Sequence, residues 1–166
     1  ERVATCLVNP IAGNEIDFAD KPASKPARIA VVGSGPAGLA AATAAAGRGH
    51  RVVLFEEQSQ IGGQIHLARR IPAKGEFNEM LRYFKRQVEV LKIEVRLSTR
   101  ATASALADGK FDEIVVATGI VPRWPAIEGI DRPNVVGYTD AILGRIEIGR
   151  RVAIIGAGGI GYDVAE

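Results

Sequence analysis

The sequence predicts an α/β fold, a parallel sheet flanked by helices. Three observations predict it. A short apolar run, Arg28–Val32, ends at a glycine turn; an alanine-rich stretch, 37–46, begins just after Pro36; and the chain returns to an apolar run at Val52–Phe55. Strand, glycine turn, helix and strand within about 30 residues form a right-handed βαβ unit.

Each element has a local reason. Pro36 stands at a first-turn position, where its missing N–H costs nothing. Alanine is the best helix former, and Gly47 and Gly49 end the run. Residues 57–75 read as a loop containing Gly62-Gly63 and Pro72. From Glu76, the apolar residues Phe77, Met80, Leu81, Phe84, Val88 and Leu91 share one helix face, and Arg82, Lys85, Arg86 and Glu89 take the other. That stripe is expected to contact the sheet. Ile93–Leu97 reads as a third strand. Glu113–Thr118 is a continuous apolar run, hence an interior parallel strand. A proline-rich stretch, 122–133, leads to a short helix near 139–143, and Arg151–Ile155 reads as another buried strand. This orphan strand is expected to pack on the open edge of the sheet or to pair with another copy of the chain. Residues 1–27 show little periodicity, and two prolines in Asp20–Pro26 mark a linker.

Composition bounds the function. The 166 residues suffice for one domain with a core, and 47% hydrophobic with 24% charged residues is ordinary for a globular chain. Net charge is only +2, and Lys and Arg are scattered among acids, so no basic stripe points to nucleic acid. The single cysteine, Cys6, excludes an internal disulfide and gives no sign of an oxidising compartment. No apolar run approaches the roughly 20 residues of a membrane span. The chain starts without Met, in a segment that is not a signal peptide, and its last helix runs into Glu166. A piece of a larger protein is therefore expected.

The chemistry lies in two glycine patterns. Gly33-Ser34-Gly35-Pro36-Ala37-Gly38 is a full G-x-G-x-x-G between a strand and a helix. Its first glycine permits the tight turn, its second lets backbone approach a pyrophosphate, and its third allows close helix–sheet packing. The helix N-terminus then offers N–H groups and a favourable dipole to the phosphates. Glu56, 23 residues on from Gly33, ends the second strand, where a carboxylate can accept ribose hydroxyls. Its removal is expected to weaken adenosine binding and leave the fold intact; a solvated strand-end glutamate is the plain alternative. The second pattern is Gly156-Ala157-Gly158-Gly159-Ile160-Gly161. Two such patterns imply two dinucleotides, and the economical chemistry is nicotinamide passing hydride to flavin. Order alone leaves open which turn holds which.

The remaining motifs carry a resemblance. Glu56-x5-Gly62-Gly63-Gln64, followed by Val115-Val116-Ala117-Thr118-Gly119-x2-Pro122, resembles the two-dinucleotide flavoprotein reductases. Further matching stretches are Cys6–Pro10, Ile61–Gln64, Ile71–Lys74 with Phe77 and Leu81–Tyr83, Gly119–Arg123, and Val152–Gly156. Together they are similar to the bacterial NADPH-dependent 2,4-dienoyl-CoA reductase family, itself related to trimethylamine dehydrogenase and other iron–sulfur ene-reductases.

The resemblance implies an incomplete FAD-binding domain of Rossmann-like, two-dinucleotide type. It divides the chain into a linker from an upstream barrel and cluster region at 1–27, the FAD-binding domain at 28–150, and the start of an NAD(P)H-binding domain at 151–166. FAD belongs to the first pattern and NADPH to the second; FMN and a [4Fe–4S] cluster belong to the parent protein. Electrons then pass from NADPH through FAD, cluster and FMN to an unsaturated fatty acyl-CoA in the cytoplasm. Cofactor-binding positions become Gly33, Gly35, Pro36, Ala37, Gly38, Glu56, Gly63, Gln64, Lys74, Ala101 and Gly119, with Gly156, Gly158, Gly159 and Gly161 at the second turn. Gln64 and Lys74 read equally as exposed loop residues. Cys6 becomes the last of four cluster ligands; without the resemblance, a buried inert cysteine is the better reading. His50 and His66 have no partner constellation and read as packing or solvent residues. No catalytic residue falls in this chain. The partners implied are the barrel and NADPH domains of the parent. A non-catalytic nucleotide-binding regulatory or scaffold domain, or the equivalent segment of an amine dehydrogenase, is the alternative.

Overall fold

The structure is a computed structural model, and it describes Cys6, Asn9, 11–18 and 21–166. The linker assigned to 1–27 and the Cys6–Pro10 match therefore lie partly outside the described residues. The end of the linker is tied down: Ala23 N–H donates to the Arg48 carbonyl, and Ala27 N–H donates to His50 Nδ1.

The elements run β1 (Arg28–Val32), α1 (Pro36–Gly47), β2 (Arg51–Phe55), α2 (Ile65–Ala68), α3 (Phe77–Val90), β3 (Glu94–Arg96), α4 (Ala103–Asp108), β4 (Glu113–Val116), α5 (Tyr138–Ile142) and α6 (Gly159–Ala165). The four strands form one parallel sheet in the order β3-β2-β1-β4. A dinucleotide-binding half has this order, and it places the ends of β1 and β2 side by side at the carboxyl edge.

Alternation along β1 and β2 divides the core. Ile29, Val31, Val52 and Leu54 face α1 and α3, where Leu39, Ala42 and Phe84 complete a buried cluster. Ala30, Val53 and Phe55 face the other way, onto Ala101, Leu106 and Phe111. Helices thus cover both faces, which is why the central strands read as unbroken apolar runs rather than as an alternating pattern. The stripe read on 77–91 behaves as expected: Leu81 and Phe84 are buried, and Met80, Val88 and Leu91 pack beside them.

Three sequence expectations need correction. Glu113–Val116 is an edge strand, not an interior one. Among the described residues it pairs only with β1, and Val116 is 73% exposed. Its apolar side chains satisfy the criterion for an interior strand, but among the described residues no element pairs with its outer edge. Arg151–Ile155 forms no strand and has not joined the sheet; Val152 and Ile155 are exposed. A strand needs a partner edge for its backbone groups, and this run has none among the described residues. The loop at 57–75 contains α2, and residues 103–108 form a helix that the reading did not anticipate. A signal for α4 existed: Thr102 Oγ1 accepts the Ala105 N–H at 3.2 Å, an N-cap before an alanine-rich turn.

Candidate functional site

The carboxyl edge of β1 opens into the first glycine turn. Gly33 has φ +98°, and its N–H donates to the Phe55 carbonyl at 2.8 Å. A Cβ on Gly33 would run into the Ala117 carbonyl and come within 3.1 Å of Thr118 Cα. Glycine is therefore required here twice, for its conformation and for the close approach of the Ala117-Thr118 backbone. Gly38 carries the second constraint. Its Cβ would collide with the Gly33 carbonyl, so α1 can lie against β1 only with hydrogen at this position.

Gly35 is different. A Cβ there would meet no protein atom within 4 Å, so the space in front of α1 is open. Gly35 is the N-cap, Pro36 follows it in the first turn, and no side chain caps the helix. The first-turn N–H groups of Ala37 and Gly38 thus present positive partial charge to that opening. The loop after β2 forms its wall. Gly62 N–H donates to the Ser34 carbonyl at 2.9 Å, and a Cβ on Gly63 would come within 2.9 Å of Gly35 Cα. His66 braces that wall, its Nε2 lying 2.9 Å from the Ile61 carbonyl. Gln64 is the exposed N-cap of α2. The residues present fit a bound pyrophosphate: a cradle that a Cβ would fill, at an uncapped helix end.

Glu56 sits at the end of β2, 6% exposed. Its Oε2 accepts the Ser34 N–H at 2.9 Å and the Ser34 hydroxyl at 2.5 Å, and Oε1 accepts the Gln58 N–H at 2.8 Å. The solvated alternative is thus excluded by geometry. A carboxylate has roughly four acceptor sites, so about one remains, on Oε1. Sequence reasoning missed Ser34, although a serine between the first two glycines, with a carboxylate ending the next strand, was a usable signal. The three bonds also give Glu56 a structural role, so its removal is expected to lower stability as well as to weaken adenosine binding. Ala101 lies past β3 and packs toward Ala30, Val53 and Phe55, on the same edge.

The second turn copies the first. Gly156 has φ +113°, Gly158 is the N-cap of α6 with space around it, and a Cβ on Gly161 would collide with the Gly156 carbonyl. A Cβ on Gly159 likewise meets nothing within 4 Å. No residue of 151–166 is buried, however, so this turn stands outside the core. Lys74 does not stand free: its Nζ meets Asp163 Oδ1 at 2.5 Å. Cys6 is exposed, and its sulfur accepts the Asn9 N–H at 3.4 Å; the buried reading is corrected. Among the described residues no group of three or more His, Cys, Asp and Glu side chains could hold a metal, and no helix is long and apolar enough to cross a membrane.

With the geometry in place, comparison with known proteins decides the family. The sequence pattern of the pyridine nucleotide-disulphide oxidoreductases matches residues 27–166. The chain belongs to that family. Among its relatives, a metal reductase of Desulforamulus reducens is 38% identical over 165 residues, covering 97% of this chain and 25% of that protein. An NADH oxidase of Thermoanaerobacter brockii is 33% identical over 166 residues, covering 97% and 26%. The solved structure of a 2-naphthoyl-CoA reductase in complex with 2-naphthoyl-CoA superposes with a TM-score of 0.90 at 39% identity, again covering 97% of this chain and 25% of that one. The chain therefore spans about a quarter of the length of each of these relatives. Family membership makes it a dinucleotide-binding oxidoreductase segment, with FAD and a nicotinamide nucleotide as the cofactors of the type.

Proposed function

We propose that this chain is the FAD-holding electron-transfer segment of a larger NADPH-dependent flavoprotein that reduces a conjugated double bond in an unsaturated acyl-CoA, 2,4-dienoyl-CoA being the substrate class. The observation that carries the reading is the opening over Gly35, bounded by Gly33, Gly38 and Gly63 and faced by an uncapped helix end. The relatives named for NADH oxidation and for reduction of a CoA thioester support the chemistry and the substrate class.

FAD, when bound, supplies hydride acceptance from a nicotinamide and release of electrons one at a time. The chain's own residues hold it. Ala37 and Gly38 N–H groups, behind Gly35 and Pro36, take the pyrophosphate; Glu56 gives its remaining acceptor site to a ribose hydroxyl. The backbone at Ala101 borders the adenine. Gly63, Gln64 and Gly119 lie on the flavin side. Gly156, Gly158, Gly159 and Gly161 form the turn for NADPH. The domain division is 28–150 for FAD and 151–166 for the start of the NADPH domain, with 1–27 joining an upstream FMN barrel and cluster. Cys6 is the last of four ligands to a [4Fe–4S] group whose other three come from that upstream chain. The parent works in the cytoplasm, and no catalytic residue is assigned here.

The test is a titration of the purified chain with FAD and with ADP, followed by fluorescence. Gly35→Val fills the opening and is expected to weaken both ligands by at least a factor of 10, about 1.4 kcal/mol. Gly158→Val leaves FAD binding unchanged. Equal FAD affinity in Gly35→Val and the parent overturns the assignment of the first turn. In the full-length protein, NADPH oxidation dependent on a dienoyl-CoA tests the substrate; oxidation that ignores it removes that part of the reading.

A further inference from the structure

Ser34 is fully buried, in company with Leu39, Leu54, Val31 and Val53. A buried hydroxyl is costly unless it finds a hydrogen-bond partner. Nothing in the glycine turn asks for one, because the pattern leaves the place between Gly33 and Gly35 open. The hydroxyl therefore answers to something outside the turn. Its partner is Glu56, whose Oε2 it meets at 2.5 Å, a short bond of the kind a hydroxyl makes to a carboxylate.

The backbone already ties these two residues. β1 and β2 end side by side, Val32 against Phe55, and the Ser34 N–H donates to Glu56 Oε2 at 2.9 Å. The hydroxyl adds one thing to this: it occupies the second acceptor site of the same oxygen. Each carboxylate oxygen offers about two such sites, so Oε2 is full. On Oε1, the Gln58 N–H takes one site at 2.8 Å. A single acceptor site is left, and donors on both oxygens hold the carboxylate in one orientation. Without the hydroxyl, a site would stand open on each oxygen, and one bond at each would remain to hold the plane. Fixing a group before its ligand arrives removes an ordering cost from binding.

We propose that Ser34 is a positioning residue for nucleotide recognition at the first turn. By filling Oε2, its hydroxyl leaves Glu56 one aimed acceptor, on Oε1, and so sets the preference for a ribose that carries its hydroxyls. The inference rests on the reading of Glu56 as the ribose acceptor. Ser34 touches no nucleotide; it acts through Glu56. The preference applies to the adenosine diphosphate half that FAD shares with ADP.

The experiment titrates the 166-residue chain by calorimetry with ADP and with 2′,3′-dideoxy-ADP, which lacks both ribose hydroxyls. The parent is expected to prefer ADP by at least about tenfold, as a hydrogen bond to a charged group warrants. Ser34→Ala removes one oxygen atom. It lowers the preference to about threefold or less and leaves the dideoxy affinity within about twofold of the parent. Ser34→Gly, which leaves no methyl group in the buried site, gives the same result. In a Glu56→Gln background the preference is already low, and adding Ser34→Ala changes it by less than about twofold, because groups that act as one unit do not add. A preference that survives in both Ser34 variants overturns the proposal. An equal loss of both ligands also overturns it, as the mark of a turn merely disturbed, and so does a further fall in the Glu56→Gln background. Unfolding of both Ser34 variants overturns it too, because the hydroxyl would then serve the fold. A parent without preference for ADP overturns the ribose reading itself; the proposal fails alone only where the parent does prefer ADP.

Discussion

Glu56→Ala removes three hydrogen bonds at one point, and the structure allows the cost to be worked out. The Ser34 N–H is buried, and without the carboxylate it has no acceptor. An unsatisfied buried donor costs about 1–3 kcal/mol. The Ser34 hydroxyl can turn elsewhere, and the part-buried Gln58 N–H can regain water, so these two add less than the roughly 1.5–3 kcal/mol of a full bond to a charged group. Release from burying a carboxylate offsets part of the sum. A net loss of about 2–4 kcal/mol is expected, a large share of the roughly 5–15 kcal/mol that holds a typical domain. Glu56→Gln should fall between, because its amide can present an acceptor to Ser34 or to Gln58 but not to both. The assay is urea unfolding followed by circular dichroism, with stability taken from linear extrapolation. ADP titration on the folded variants reads the ribose contact separately. Glu56→Ala within about 0.5 kcal/mol of the parent, the ordinary range of surface changes, would refute the structural role and return Glu56 to a solvated strand end.

The two glycine turns provide a matched pair. Gly38→Ala should lose about 2 kcal/mol, since a collision with the Gly33 backbone carbonyl puts overpacking near the upper end of its range, about 3 kcal/mol, and helix propensity returns about 1. Gly161→Ala meets the same obstacle at the Gly156 carbonyl but outside the core, so global stability should stay within about 0.5 kcal/mol of the parent; equal urea midpoints for the two variants would contradict this. Ala73→Gly removes a left-handed alanine costing about 1–2 kcal/mol and adds the chain entropy of glycine, about 0.5–1. A small rise in Tm is expected, and a fall would show that the turn is not strained.

Much of the site was legible because its parts are local. The turn Gly33–Gly38, the helix after it and the carboxylate at the next strand end all lie within one βαβ unit. The role of Ser34 was not read, because it depends on β2 returning parallel to β1 and bringing Glu56 within bonding distance. Nor was the partner of Lys74, which comes from the far end of the chain.

The same division runs through the whole molecule. The sequence by itself determined the glycine turns and the helices. Gly156–Gly161 shows this most clearly: like Gly33–Gly38 it has a positive φ at its first glycine and no room for a Cβ at its last, with no core beneath it. A turn and a helix satisfy their backbone groups within a few residues, so local identity suffices. Val152–Ile155 shows the converse. It is as apolar as Val52–Phe55, yet only the latter is a strand. A strand's N–H and C=O groups need an edge supplied from elsewhere in the chain, and hydrophobicity cannot say whether one will be there. Tertiary structure therefore decided which apolar runs became sheet, that β4 would stand at the edge, and that Glu56 would be buried against Ser34.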